Sequence, residues 1–165
     1  DPLALASGTL PFLQVVVPPS SIIYLYFIGP YHDLQAIDAC WEELLSYAWH
    51  NKLLHDHTQY LAEILDDEEI SEQRHCRYHA AITVDQLPEV LPGLFLSKTL
   101  DTGPYLHFSF EGQLTNTDDF YRQIYQQWLR TMPEEPNEGS ILEFYQQDEL
   151  NADLGTIDII IPVVA

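Results

Sequence analysis

The sequence predicts an α+β fold: two strand-strand-helix-strand-strand units side by side, making an eight-stranded, mostly antiparallel sheet with both helices on one face. Three observations carry this. The order of hydrophobic periodicities repeats on either side of a break at 85–93, where Pro88, Pro92 and Gly93 form the clearest hinge in the chain. Each side holds one stretch whose apolar residues fall three and four apart, the spacing of a helix with a single buried face. The remaining apolar runs are short, rich in β-branched and aromatic residues, and bounded by Pro, Gly or acidic turns.

Residues 1–11 read as a lead-in, and 12–164 as one domain of two pseudo-repeats, 12–84 and 94–164. Phe12–Val17 is a β-branched run stopped by Pro18 and Pro19. In Ile22–Ile28, Tyr24 and Tyr26 alternate with Leu25 and Phe27, so each pair takes its own face of a strand. Gly29-Pro30-Tyr31 then turns the chain into a helix over 33–50. Asp33 is its N-cap, and Leu34, Ile37, Trp41, Leu44, Leu45 and Ala48 form its buried stripe. Tyr60–Leu65 and Cys76–Val84 are strands joined by the acidic stretch Asp66–Gln73.

The pattern then restarts. Leu94–Leu100 and Pro104–Phe110 read as a hairpin closed by Asp101-Thr102-Gly103. Asn116–Arg130 is a helix with Asn116 as N-cap, Asp118 and Asp119 favourable in the first turn, and Phe120, Ile124 and Trp128 facing inward. Ile141–Gln146 and Thr156–Val163 complete the set, with Pro162 suited to an edge or a strand terminus.

Charge and composition exclude several functions. The formal net charge is −20, and only six bases are present: Lys52, Arg74, Arg77, Lys98, Arg122 and Arg130. They are too scattered to track a phosphate backbone, so direct nucleic-acid binding is not expected. No apolar run approaches the roughly 18 residues of a membrane span. Cys40 and Cys76 have neither metal nor redox spacing and read as free thiols of a reducing cytoplasm. His50, His55 and His57 lack acid or thiol partners at ligand spacing, so no metal and no cofactor are expected. Absence of a charged leader and of an initiator Met suggests a piece of a longer protein.

The most informative stretch is Ser140–Asp148, which places one carboxylate, Glu143, inside an apolar and aromatic strand. Alternation puts Ile141, Glu143 and Tyr145 on one face and Leu142 and Phe144 on the other, which reads as the core face. Glu143 is then either an ordinary surface acid or a buried anion that needs a cation. In a duplicated fold a groove between the two helices is expected, with this strand as its floor.

These pieces together resemble the GyrI-like family, the effector-binding domains of gyrase-inhibitory proteins and of some AraC-type and MerR-type transcription regulators. The resemblance spans roughly 12–164. It rests on Tyr24-Leu-Tyr-Phe-Ile-Gly-Pro-Tyr31, Trp41-Glu-Glu-Leu-Leu45, Asp66-Asp67 with Arg77-Tyr78, Leu142-Glu-Phe-Tyr145 and Ile159-Ile-Ile-Pro-Val163. Phe110-Glu-Gly-Gln113 departs from it, standing where the family often repeats Gly-Pro-Tyr.

The resemblance implies a binding module for cationic, lipophilic small molecules, a multidrug-type effector domain joined to or partnered with a DNA-binding domain. Glu143 meets the ligand, and Tyr145, Trp41, Tyr31, Tyr78, Tyr105, His107 and Trp128 are the expected aromatic lining. No catalytic residue is expected. Two rival readings are a small-molecule hydrolase with Glu143 as general base and an acidic, gyrase-inhibitor-like interaction module.

Overall fold

The alternating runs become strands β1 (Leu13–Val17), β2 (Ser21–Ile28), β3 (Tyr60–Ile64), β4 (Arg77–Val84), β5 (Leu96–Thr99), β6 (Gly103–Gln113), β7 (Ile141–Gln147) and β8 (Leu154–Pro162). The two amphipathic stretches become α1 (Leu34–His50) and α2 (Thr117–Thr131). This computed structural model describes residues 9–100, 103–137, 139–147 and 153–164. All eight strands join one sheet in the order β1-β6-β8-β7-β3-β4-β2-β5, every pairing antiparallel. No helix is long and apolar enough to cross a membrane.

Within each repeat the last two strands pair as expected, β3 with β4 and β7 with β8, and the repeats meet where β3 lies against β7. The predicted hairpin between the strands around 94–100 and 104–110 does not form. β5 pairs with β2, and β6 pairs with β8 and β1, so each repeat lends its first strand to the other repeat's edge. Alternation dictates which face a residue takes and is silent about which strand lies alongside. Residues 101 and 102 of the expected turn lie outside the described residues.

Both faces of the sheet are apolar. Under α1 lie Ile23, Leu25, Ala62, Tyr78, Ala80 and Ile82, and under α2 lie Leu106, Phe108, Ile157, Ile159 and Ile161. Tyr145 packs against both clusters. The opposite face buries Ile22, Leu61, Ala81, Tyr105, Leu142 and Ile160. Leu142 is therefore core, as expected, yet it faces away from the helices. Glu143 and Tyr145 point toward them.

The helix ends differ in chemistry. The Asp33 carboxylate accepts the Ala36 N–H at 3.2 Å, as a cap should. Asn116 makes no such bond, because Leu114–Asn116 is a short 3₁₀ turn that runs directly into α2. There the Thr117 hydroxyl donates to the Leu114 carbonyl at 2.6 Å instead. Leu34, expected on the buried stripe, is exposed at the first position of α1. Pro162 ends β8, an interior strand, so the terminus reading holds and the edge reading does not.

A polar cluster around Glu63 interrupts the opposite face. Glu63 is buried and accepts from Lys98 Nζ at 2.7 Å and Ser140 Oγ at 2.9 Å, with His79 Nδ1 at 3.1 Å. Burial alone would raise its pKa, but the hydrogen bonds from His79 and Lys98 and the lysine's charge bring it down to about 2. The rings of Tyr24 and His79 stack at 4.5 Å beside it, and Lys98 Nζ lies 5.2 Å from the Tyr24 ring centroid.

Candidate functional site

Glu143 sits in mid-sheet, with Ala62 of β3 and Ile159 of β8 as its cross-strand neighbours. Its exposure is only 7%. Among the described residues no Lys, Arg or His forms an ion pair with it. Two tyrosines supply hydrogen bonds in place of a cation: Tyr145 O–H donates to Oε1 at 2.5 Å, and Tyr121 O–H from α2 donates to Oε2.

Behind Tyr145 the network continues into the first repeat. Tyr78 and Tyr145 hydroxyls are 3.3 Å apart, and Trp41 Nε1–H donates to Tyr78 Oη at 2.9 Å. Because the single Tyr145 proton is directed at Glu143, Tyr78 donates to Tyr145. The series Trp41, Tyr78, Tyr145 thus aims every donor at one carboxylate. Trp41 meets Tyr145 edge-on with centroids 5.8 Å apart, and Tyr125 stacks on Tyr121 at 6.4 Å.

The electrostatics follow from burial. Desolvation raises the Glu143 pKa, the hydrogen bonds from Tyr121 and Tyr145 lower it, and Asp118 raises it again, so the net shift is upward. Burial and the same carboxylate push both tyrosine hydroxyls well above their ordinary range, so they remain donors. The site is a buried carboxyl group hydrogen-bonded by two tyrosines and bordered by aromatic rings.

Tyr31 holds the edge of this assembly. Its hydroxyl donates to the Arg77 carbonyl at 2.7 Å, lies 3.1 Å from the Asp66 carbonyl and accepts the Asp66 N–H at 3.2 Å, while its ring lies 6.4 Å from Tyr78. Asp66 in turn takes Arg77 in a two-pronged pair, Nε at 2.9 Å and Nη2 at 3.2 Å. The Gly-Pro-Tyr and Asp-Asp/Arg-Tyr pieces are therefore one construction that braces Tyr78 from behind. In the second repeat β6 runs unbroken through Gln113, with Phe110 packed on Phe120 at 5.2 Å and no counterpart of Tyr31.

Of the residues expected at the site, the structure brings together Glu143, Tyr145, Trp41 and Tyr78, with Tyr31 behind them. Of the other three it turns Tyr105 and His107 to the opposite face and places Trp128 in the core cluster that Tyr121 and Tyr145 pack against. On the opposite face Tyr105 joins the Leu142 cluster and His107 Nε2 lies 2.9 Å from Asp158 Oδ1. In β6 the helix-facing positions are Leu106 and Phe108, one residue out of step. Trp128 lies in the second repeat's core, its Nε1–H donating to the Glu134 carbonyl at 2.6 Å. Tyr121 was missed, although its spacing of three to Ile124 and seven to Trp128 marks it as part of the same inward stripe.

The tertiary structure adds a contact that local spacing does not show: Asp85, distant in sequence, lies beside both His55 and His57. The first-half cysteine Cys40 is half-buried and Cys76 fully buried, both as free thiols.

Comparison with known proteins agrees with this architecture. The profile of the GyrI-like small molecule binding domain matches residues 14–164. No curated protein matches the chain significantly. Among solved structures, EcmrR in its DNA complex superposes with a TM-score of 0.78 at 12% identity, covering 98% of this chain and 61% of EcmrR. SAV2435 bound to tetraphenylphosphonium gives a TM-score of 0.67 at 13% identity, covering 94% and 95% of the two chains. A Listeria innocua protein described as a hydrolase gives 0.61 at 10% identity, covering 93% and 91%. At such identities these similarities speak to the fold alone.

Proposed function

The chain belongs to the GyrI-like small-molecule binding domain family, and on that premise we propose that it senses a cationic, lipophilic effector at Glu143. The observation that carries the reading is a carboxylate with 7% exposure and no ion-pair partner among the described residues, bordered by Trp41, Tyr78, Tyr121 and Tyr145. A buried acid of this kind is costly alone. A ligand cation restores its partner, and each ring face adds about 0.5–2 kcal/mol of cation–π attraction. SAV2435, similar in fold, is solved with tetraphenylphosphonium, which supports this ligand class.

Calorimetric titration with tetraphenylphosphonium tests the reading. Saturable binding is expected, with Glu143→Gln weakening it at least tenfold, about 1.4 kcal/mol. A neutral analogue such as triphenylphosphine oxide should bind both forms alike. Native-strength cation binding by Glu143→Gln overturns the proposal. Because the carboxyl must ionise to pair with the cation and its pKa is raised, affinity should climb as pH rises through that elevated value.

Such a sensor needs an output. EcmrR is solved with DNA and this chain spans 61% of it, which supports a role beside a DNA-binding domain in a transcription regulator. Two free thiols support a cytoplasmic setting. A second reading, hydrolysis with Glu143 as general base, is favoured by one feature: a raised-pKa carboxyl within hydrogen-bond reach of tyrosine hydroxyls. Turnover of an activated ester that disappears in Glu143→Gln, with no cation binding by the native chain, would select it.

A further inference from the structure

We propose that His55, His57 and Asp85 form a binding site for a divalent transition-metal ion of the zinc class, separate from the Glu143 cluster. The two histidines flank Asp56 in the loop between α1 and β3, and Asp85 is the first residue after β4. Antiparallel pairing of β3 with β4 brings these points together, reinforced where Gln59 N–H donates to Thr83 Oγ1 at 2.8 Å and Thr83 N–H donates to the Gln59 carbonyl at 3.0 Å.

The geometry suits a metal better than a plain ion pair. His55 Nε2 lies 3.3 Å from Asp85 Oδ2, and His57 Nε2 lies 3.3 Å from Asp85 Oδ1. Charge-assisted hydrogen bonds settle nearer about 2.7–2.9 Å. With Asp85 ligating through one oxygen, one of these two contacts matches the edge between two ligands of a tetrahedral ion with bonds of about 2.0–2.1 Å, roughly 3.3–3.4 Å. One ligand atom from each of the three residues lies within 4.8 Å of the others. The two imidazoles lie against each other, tilted by 31° with centroids 3.7 Å apart, and each directs its Nε2 to one oxygen of the same carboxylate.

A neighbouring hydroxyl orients the first of these rings. Thr58, itself buried, holds its Oγ1 3.3 Å from His55 Nδ1 and accepts the His55 N–H at 3.0 Å. A hydrogen bond at Nδ1 leaves the Nε2 lone pair for a metal, the usual arrangement around a ligating histidine. All three ligands are solvent-accessible, so the fourth position is open to water.

The other polar clusters do not offer this. At Glu63 the Lys98 ammonium already occupies the place a cation would take. At Asp158 a single histidine nitrogen is shared with Ser109, giving too few ligands. Two imidazoles and one carboxylate favour zinc, copper or nickel over the oxygen-seeking magnesium and calcium. An ion here would clip the loop that leads into β3 to the end of β4, where the first repeat gives way to the connection at 85–93.

Zinc chloride titrated calorimetrically into the chelator-treated chain at neutral pH should show one saturable site. His57→Ala and Asp85→Asn should each weaken it at least tenfold. His75→Ala, which removes a different exposed histidine, should leave it unchanged, and equal concentrations of magnesium should not compete. Cobalt(II) at the same site should give visible d–d absorption without thiolate charge-transfer bands. Failure to saturate at millimolar zinc, equal affinity in His57→Ala and Asp85→Asn, or thiolate bands placing the ion at Cys40 or Cys76 would overturn the proposal.

Discussion

Glu143 behaves as a buried acid should, and its environment sets the sign of what its removal does. Its folded pKa is raised, so the native state binds a proton that the unfolded chain has released once pH exceeds the ordinary glutamate range. The resulting cost is absent at low pH and complete above the folded pKa. Glu143→Gln is therefore expected to stabilise the unliganded chain at pH 8 and to lose that advantage near pH 4. A gain of about 1 kcal/mol would appear as roughly 2–4 °C in Tm for a chain of this size. Thermal denaturation of both proteins at the two pH values checks this. Tyr121→Phe removes a hydrogen bond that lowers the Glu143 pKa, so the pH at which cation binding sets in should move upward. NMR titration of the Glu143 carboxyl carbon measures that shift directly. An acid among Ile141, Leu142, Phe144 and Tyr145 was conspicuous in the sequence. Tyr121 was not, since only the placement of α2 on the sheet tells which of its two tyrosines, Tyr121 or Tyr125, reaches the carboxylate.

At the scale of elements, the turn after β2 and the polar cluster on the opposite face each carry a test. Gly29 has φ +154°, and a Cβ there would lie 2.7 Å from Cζ of Phe27. Its N–H also donates to the Cys76 carbonyl at 2.8 Å, tying the turn to the start of β4. Gly29→Ala should cost about 1–2 kcal/mol and loosen Tyr31 behind Tyr78, measurable as a lower urea midpoint. For Glu63 the linkage runs opposite to Glu143. Its folded pKa of about 2 lies below the ordinary value of 4.5, so the stability it contributes is full above pH 4.5 and disappears as pH falls toward 2. Lys98→Ala should cost about 1–3 kcal/mol at pH 7, below the figure for a fully buried pair because the lysine side chain is 34% exposed. That penalty should shrink on acidification through the same window. The capping difference between the helices belongs here too: Asp33 and Asn116 are equally good caps by residue type, and the 3₁₀ turn that displaces Asn116 follows from how β6 delivers the chain to α2.

Across the whole molecule, the exchange of edge strands makes the two repeats interdependent. β1 completes the second repeat's edge and β5 the first's, so fragments 12–84 and 94–164 each lack an edge strand and carry one that has nowhere to pair. Separately expressed, each should show little cooperative unfolding, and mixing them should restore it. Circular dichroism melts of the fragments and their mixture decide the matter, and independent two-state folding of either fragment would contradict it. The sequence by itself determined the secondary elements, the duplication and the presence of an isolated acid among rings, because periodicity, turn chemistry and composition act over a few residues. Strand partners, the face that Glu143 shares with the helices, the exclusion of Tyr105 and His107, and the meeting of His55 and His57 with Asp85 were decided only in three dimensions. Those depend on register and on contacts between segments far apart in the chain, and alternation along one strand carries no record of what lies across from it.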